Sequence, residues 1–462
     1  MTDALKLDVA GLLAAYRNGM LTPEAVAADL LAAVQRLQPT LNAYCTLNPG
    51  LTAAAAASTR RWQAGEPSGP LDGVPLVVKD NLAAAGMPAS WSNAALAKRP
   101  VLADELPVVR AIAAGALIVG KANTPEFAVE GYTDNTTFGP TGNPFDPALT
   151  PGGSSGGVVA ALAAGLAHLG LGTDGGGSIR RPSAYCGLFG LKPGIGRVPR
   201  AGGLPQVLLD FEVAGPIARS MRDVALFDSL LSGPDIRDPR SLAGHNPTPW
   251  PDAPRVLYVP RLGDAPCAPE ILDSADAAAA MLSNLGCAVT EGPLPLDLEP
   301  LNAIWSQIAE IGLARLFADD PEVAAAAAPK YREMAARGAA LPATMLWAML
   351  DMIDALRRSA AAMLQDWDMV LMPSCAAMPW PAAEPFPSMI AGEAVGPRGH
   401  AIYTGWVNAA GLPALQLPAV PARSGMPIGV QVIGAMGTER RLLDLGLRYE
   451  AATGGFVWPK SL

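Results

Sequence analysis

Two serines stand in glycine-rich turns within one stretch, PGGSSGGVVAALAAGLAHLGLGTDGGGSIRRPSAYCGLFGLKP. They are Ser154 and Ser178. Glycines on either side let the backbone approach a ligand closely and point several N–H groups the same way. A hydroxyl among clustered N–H donors suits acyl transfer, which needs a nucleophile beside an oxyanion hole. Upstream, Lys79 precedes Asp80 in LDGVPLVVKDNLAAAG. A hydroxyl is a poor nucleophile until a base takes its proton. Histidine is scarce, with only His168, His245 and His400 in the chain. An exposed lysine, with a reference pKa of about 10.4, is no base at neutral pH. One desolvated at a strand end by Val77, Val78 and glycine loops can be neutral. The plain structural alternative is an ion pair from Lys79 to Asp80 or another acid, and the neighbouring glycine–serine loops favour the base.

The elements that must hold these residues are legible from periodicity. Residues 5–41 read as helices, with Thr22 capping and Pro23 in the first turn. Residues 52–64 form another helix. The apolar run 75–78 predicts a buried strand ending at Lys79. Residues 116–120 predict a strand and 133–150 a loop. A helix over 156–165 starts straight after the serine turn, then a strand over 169–173 leads into the 175–177 loop. A proline-rich connector over 245–254 follows. Strands are expected at 255–260, 367–373 and 428–434, and a helix at 268–285. Residues 301–367 are almost wholly helical in pattern, and 375–399 read as loop. Strands alternating with helices imply an α/β fold around a largely buried sheet.

Familiar motifs fail on context. Residues 152–156 satisfy G-x-S-x-G, but that elbow needs a preceding strand, and residues 144–151 hold three prolines. Its triad would also need His245 or His400. Gly170, Gly172 and Gly175 match G-x-G-x-x-G without the helix and acid that should follow. Residues 115–122 nearly match a P-loop but lack the final Ser/Thr. No S-x-x-K spacing is present.

Composition narrows the rest. The chain has 462 residues, half of them apolar and 16% charged, with net charge −9. That is globular rather than disordered, and argues against a nucleic-acid partner. Residues 158–171 are the most apolar run. They are too short for a membrane span and read as a helix running into a strand. Five scattered cysteines show no C-x-x-C pair, so neither a disulfide framework nor a zinc site is indicated. With no signal-like start, the expected compartment is the cytoplasm.

The motifs GVPLVVKDN (73–81), GGSSGG (152–157) and GTDGGGSIRRPSAYCGLFGLKP (172–193) resemble the amidase signature family. NPFDP (143–147), DFEVAGPIARS (210–220), GLPALQLP (411–418) and PIGVQVIG (427–434) extend the resemblance, which is weakest over 301–386. It implies a single α/β domain, a central mixed sheet covered by helices on both faces. Its parts are N-terminal helices (1–65), a catalytic core (66–235), a variable, largely helical pocket region (255–400) and a return to the core sheet (401–462). It implies Ser178 as nucleophile, Ser154 as a bridging serine on a cis peptide bond, and Lys79 as the base. The N–H groups of Gly175, Gly176, Gly177 and Ser178 would form the oxyanion hole, supported by Ser155, Asp174 and Arg180. No metal or cofactor is implied.

Two positions depart from the family pattern. Gly175 replaces a larger residue, which should leave room near the acyl group, and Arg181 stands where an apolar residue is usual. Trp305, Phe317, Trp347 and the methionines of 345–363 are either core or pocket wall. As wall they imply a small apolar or aryl amide, with carbamates and esters as further substrates, acted on by a monomer or homodimer without a membrane partner. The alternative is the amidotransferase subunit that makes amidated aminoacyl-tRNA, working only with partner subunits.

Overall fold

The computed structural model describes residues 3–242 and 251–460. His245 lies outside them. The chain opens with helices Val9–Arg17, Pro23–Leu41 and Leu51–Ala64. Thr22 caps the second as its sequence predicts, its hydroxyl accepting from Ala25 N at 3.2 Å with Pro23 in the first turn.

The strands are β1 (Tyr44–Leu47), β2 (Pro75–Lys79), β3 (Leu117–Ala122), β4 (Leu169–Asp174), β5 (Phe189–Lys192), β6 (Val213–Ala218), β7 (Arg255–Tyr258), β8 (Ala288–Glu291), β9 (Met369–Pro373), β10 (Met389–Ile390), β11 (Glu393–Ala394), β12 (Ala414–Pro418) and β13 (Gly429–Gly434). Eleven of them make one mixed sheet in the order β1-β3-β2-β4-β6-β5-β12-β13-β9-β7-β8. Its parallel pairs are β2 with β3 and β4, and β7 with β8 and β9.

Both faces of this sheet are covered. Successive strand side chains point to opposite faces. In β9, Met369 and Leu371 enter one apolar core, and Val370 and Met372 enter the other. The first core takes helix Gly156–Ala163, buried throughout. The second takes apolar side chains of the long helices Glu299–Asp319 and Ala343–Asp366. No single helix among the described residues is long and apolar enough to cross a membrane.

Residues 375–399 are not all loop, as the sequence suggests. β10 and β11 pair across Ala391 and Gly392, whose φ values are 50° and 85°. Strands of two residues leave no alternation to read.

β2 and β4 are parallel neighbours, so their carboxyl ends lie on the same edge. Lys79 ends β2 and Asp174 ends β4. The Gly175–Ser178 loop leaves β4 there, the edge at which open α/β sheets hold ligands.

Candidate active site

Lys79 is fully buried. Its Nζ donates to Ser154 Oγ at 2.8 Å, to Thr173 Oγ1 at 2.8 Å and to Thr173 O at 3.1 Å. No carboxylate lies within ion-pair distance of it among the described residues. Asp80 turns away, accepting from Ser92 N at 3.1 Å, from Cys45 Sγ at 3.3 Å and from the Ser90 hydroxyl. The ion-pair alternative is therefore not the arrangement found. Burial is the largest influence on Lys79 and pulls its pKa down to about 7, against the opposing pull of Glu212 and Asp174.

The Gly153–Ser154 peptide bond is cis. Ser155 N donates to Ser178 O at 3.2 Å, tying the two serine turns together, and Ser155 Oγ donates to Thr173 O at 3.2 Å. Ser178 opens on a cavity, and among the described residues its hydroxyl makes no hydrogen bond.

Asp174 organises the second turn. Its carboxylate accepts from Gly177 N at 2.7 Å and from Ile179 N at 3.0 Å. It is also held side-on by Arg180, with Nη2 at 2.9 Å and Nε at 3.1 Å. Burial alone would raise the Asp174 carboxyl, but Arg180 and these N–H donors hold it well below the usual carboxylate range. Gly177, at φ 118°, is a position that only glycine fits, since a Cβ there would meet Thr404 Oγ1 at 2.2 Å. The Gly177 N–H is thus already committed to Asp174, unlike the free donor the family resemblance implies. The N–H groups of Gly175, Gly176 and Ser178 have no internal acceptor among the described residues.

The cavity beside Ser178 measures about 280 Å³. Gly176, Leu208, Trp305, Met334 and Arg398 are among its lining. Trp305 stacks on Phe211 at 5.9 Å between ring centroids. Phe317 instead packs edge-on against Phe127 at 5.4 Å, in the core, and Trp347 is 70% exposed. Of Trp305, Phe317 and Trp347, then, Trp305 alone lines this cavity. The space expected beside Gly175 is also filled, because a Cβ built there would lie 2.7 Å from Leu208 Cδ1. Leu208 occupies the volume that the missing side chain vacates.

Arg181 is buried and bridges the two serine turns. Its Nη1 donates to Gly176 O and, at 2.7 Å, to Thr404 Oγ1, and its Nη2 reaches Gly153 O at 3.4 Å. His400 lines the same cavity, but burial, then Arg181 and Arg398, hold it down to about 3 and so neutral. It makes no bond to Ser178. His168 is buried in the core with a ring nitrogen 3.1 Å from Ala4 O.

The amidase family model matches residues 25–443 of this chain. The chain belongs to the amidase family. As a member it is an amide-hydrolysing enzyme with the family's fold. It is 34% identical to a glutamyl-tRNA(Gln) amidotransferase subunit of Thermus thermophilus, over 94% of this chain and 95% of that one. It is 31% identical to an acylamidase of Rhodococcus erythropolis, over 96% and 95% respectively. A bacterial aryl acylamidase structure superimposes with a TM-score of 0.89 at 27% identity, covering 97% of this chain and 96% of that one.

In this amidase several residues around the site escaped sequence reasoning. Thr173 and Asn81 bond each other at 3.1 Å, and Asn81 reaches Glu212 at 3.3 Å. Glu212 in turn accepts from Arg200 at 2.6 Å. Arg180 is seated from far along the chain, by Gln431 Oε1 at 2.7 Å, Thr404 O at 3.1 Å and the Asn408 side chain. Asn81, Thr173 and Gln431 each lie inside a motif quoted for the family resemblance, which was the available signal.

Proposed function

We propose that this amidase is a serine hydrolase cleaving the C–N bond of a small amide through an acyl-enzyme on Ser178. The observation that carries the reading is Lys79, buried with no carboxylate within ion-pair distance among the described residues, 2.8 Å from Ser154 Oγ and brought to about 7. Neutral Lys79 takes the proton of Ser154, and Ser154 takes that of Ser178. Ser178 Oγ attacks the carbonyl carbon. The N–H groups of Gly175, Gly176 and Ser178 receive the developing oxyanion. The relay in reverse protonates the leaving nitrogen, and water, deprotonated by the same relay, releases the acid. The scheme calls on no metal or cofactor.

Residues 255–400 act as the pocket region, with Trp305 as a flat apolar wall for an aryl or short acyl group. Carbamates and esters carry the same carbonyl and enter as side substrates. The enzyme works in the cytoplasm as a monomer or homodimer. The test is a panel of aliphatic amides, anilides, carbamates and matched esters, against wild type and Ser178→Ala, with phosphonate labelling of Ser178. Activity and labelling confined to wild type support the reading; equal rates in the variant sink it.

The identity with an amidotransferase component keeps a second reading in play, a glutaminase working within a complex. Glutaminase activity that appears only on adding the partner subunits would select it.

A further inference from the structure

Arg398 is a cation with no acceptor among the described residues. Its side chain makes no hydrogen bond and no ion pair among the described residues, and its Nη1 is buried unpartnered. It lies over Trp305, Cζ 4.3 Å from the ring centroid, in the cavity that Ser178 lines. The acids of the same cavity are already engaged: Glu310 with Arg337 at 2.8 Å, and Glu130 with Lys330 at 2.9 Å. The buried Arg181 adds a second positive charge with neutral acceptors alone. Burial, then Arg181, draw Arg398 down to about 9, with no carboxylate opposing them. Two guanidinium groups lining the cavity of Ser178, neither ion-paired among the described residues, leave a partly desolvated positive site, which is costly unless an anion fills it. A guanidinium seated over an aromatic ring keeps its N–H edge free to take a carboxylate in the bidentate manner.

We infer that the substrate carries a carboxylate in addition to its scissile amide, and that Arg398 binds it, with Arg181 reinforcing the field. This rests on the serine-amidase reading above and narrows its substrate to acidic amides, with Trp305 against the body of the molecule. Monoamides of short dicarboxylic acids and anilides with a ring carboxylate belong to this class.

The test uses pairs that differ in charge. Succinic acid mono-4-nitroanilide against butyric acid 4-nitroanilide probes the acyl side. 4-Carboxyacetanilide against 4-methylacetanilide probes the leaving-group side. Wild type should prefer the anionic member of one pair by about tenfold or more in kcat/KM, mainly through KM. Arg398→Gln should bring that ratio toward one, and Arg398→Lys should restore part of it. Isothermal titration of Ser178→Ala protein with the same pairs reads recognition without turnover and should show the same preference. Equal binding of both members of both pairs, or a ratio that survives Arg398→Gln, overturns the inference. The underlying reading fails differently, by Ser178→Ala protein hydrolysing the panel as fast as wild type.

Discussion

Lys79 and Ser154 meet at 2.8 Å in a region closed to solvent, and the residue next to the lysine, Asp80, is bonded elsewhere. A strand explains the separation. Adjacent side chains in β2 point to opposite faces, so Asp80, just past its end, faces Ser90, Ser92 and Cys45 while Lys79 faces the serine turns.

Because Lys79 must be neutral to accept a proton and sits at about 7, kcat/KM should rise with pH through that value and level off above it. Below it the rate should fall about tenfold per pH unit. A pH profile on any turned-over amide checks this; a flat profile between pH 5.5 and 8.5, about 1.5 units to either side, removes Lys79 as base.

The same shift has a stability consequence. Lys79 is lowered in the folded state, so between about 7 and the unfolded value near 10.4 the unfolded chain binds the extra proton. Folding stability from this group therefore climbs with pH across that window. Urea midpoints at two pH values inside it should rise more for wild type than for Lys79→Met.

Removing the relay members should rank by role. Ser178→Ala should abolish turnover, with a loss of more than about 10³-fold, Lys79→Ala should come close to it, and Ser154→Ala should cost less. Single-turnover rates on folded proteins, with folding checked by circular dichroism, give the order. A folded, active Lys79→Ala enzyme at neutral pH contradicts the scheme.

Asp174→Asn should leave Arg180 charged and buried without its partner. Breaking such a pair costs about 3–5 kcal/mol, and here the Asn amide group also takes the acceptor from one of the two N–H donors, Gly177 N or Ile179 N. The variant should melt well below wild type and lose activity. An unchanged melting temperature would show that the pair does not hold the loop.

Gly175→Thr should collide with Leu208, at a cost of about 1–3 kcal/mol for overpacking. The double variant with Leu208→Ala should recover stability, and a thermal double-mutant cycle measures the coupling.

How far the sequence carried differs by residue. PLVV before Lys79 and VLYV after Arg255 are unbroken apolar runs and read as strands at once. β6 is VAGPIA and β5 is FGLK, and glycine or proline inside them hides the strand signal although each pairs on both sides. The serine turns and Lys79 were visible because glycine clustering and motif order are local. Arg398 was not, since it sits in a Gly-Pro-Arg-Gly segment and meets Trp305 only through the fold. Leu208 filling the space at Gly175 was hidden for the same reason.

Lys79, Ser154 and Ser178 are all made well before Thr404, Asn408 and Gln431, from which Arg180 takes its seat. On the ribosome the nascent chain therefore carries every group of the proposed relay long before the loop that aims them can set. This later-made segment acts as a built-in arming step, so a chain cut short before it should carry the residues of the proposed relay and yet turn over no amide.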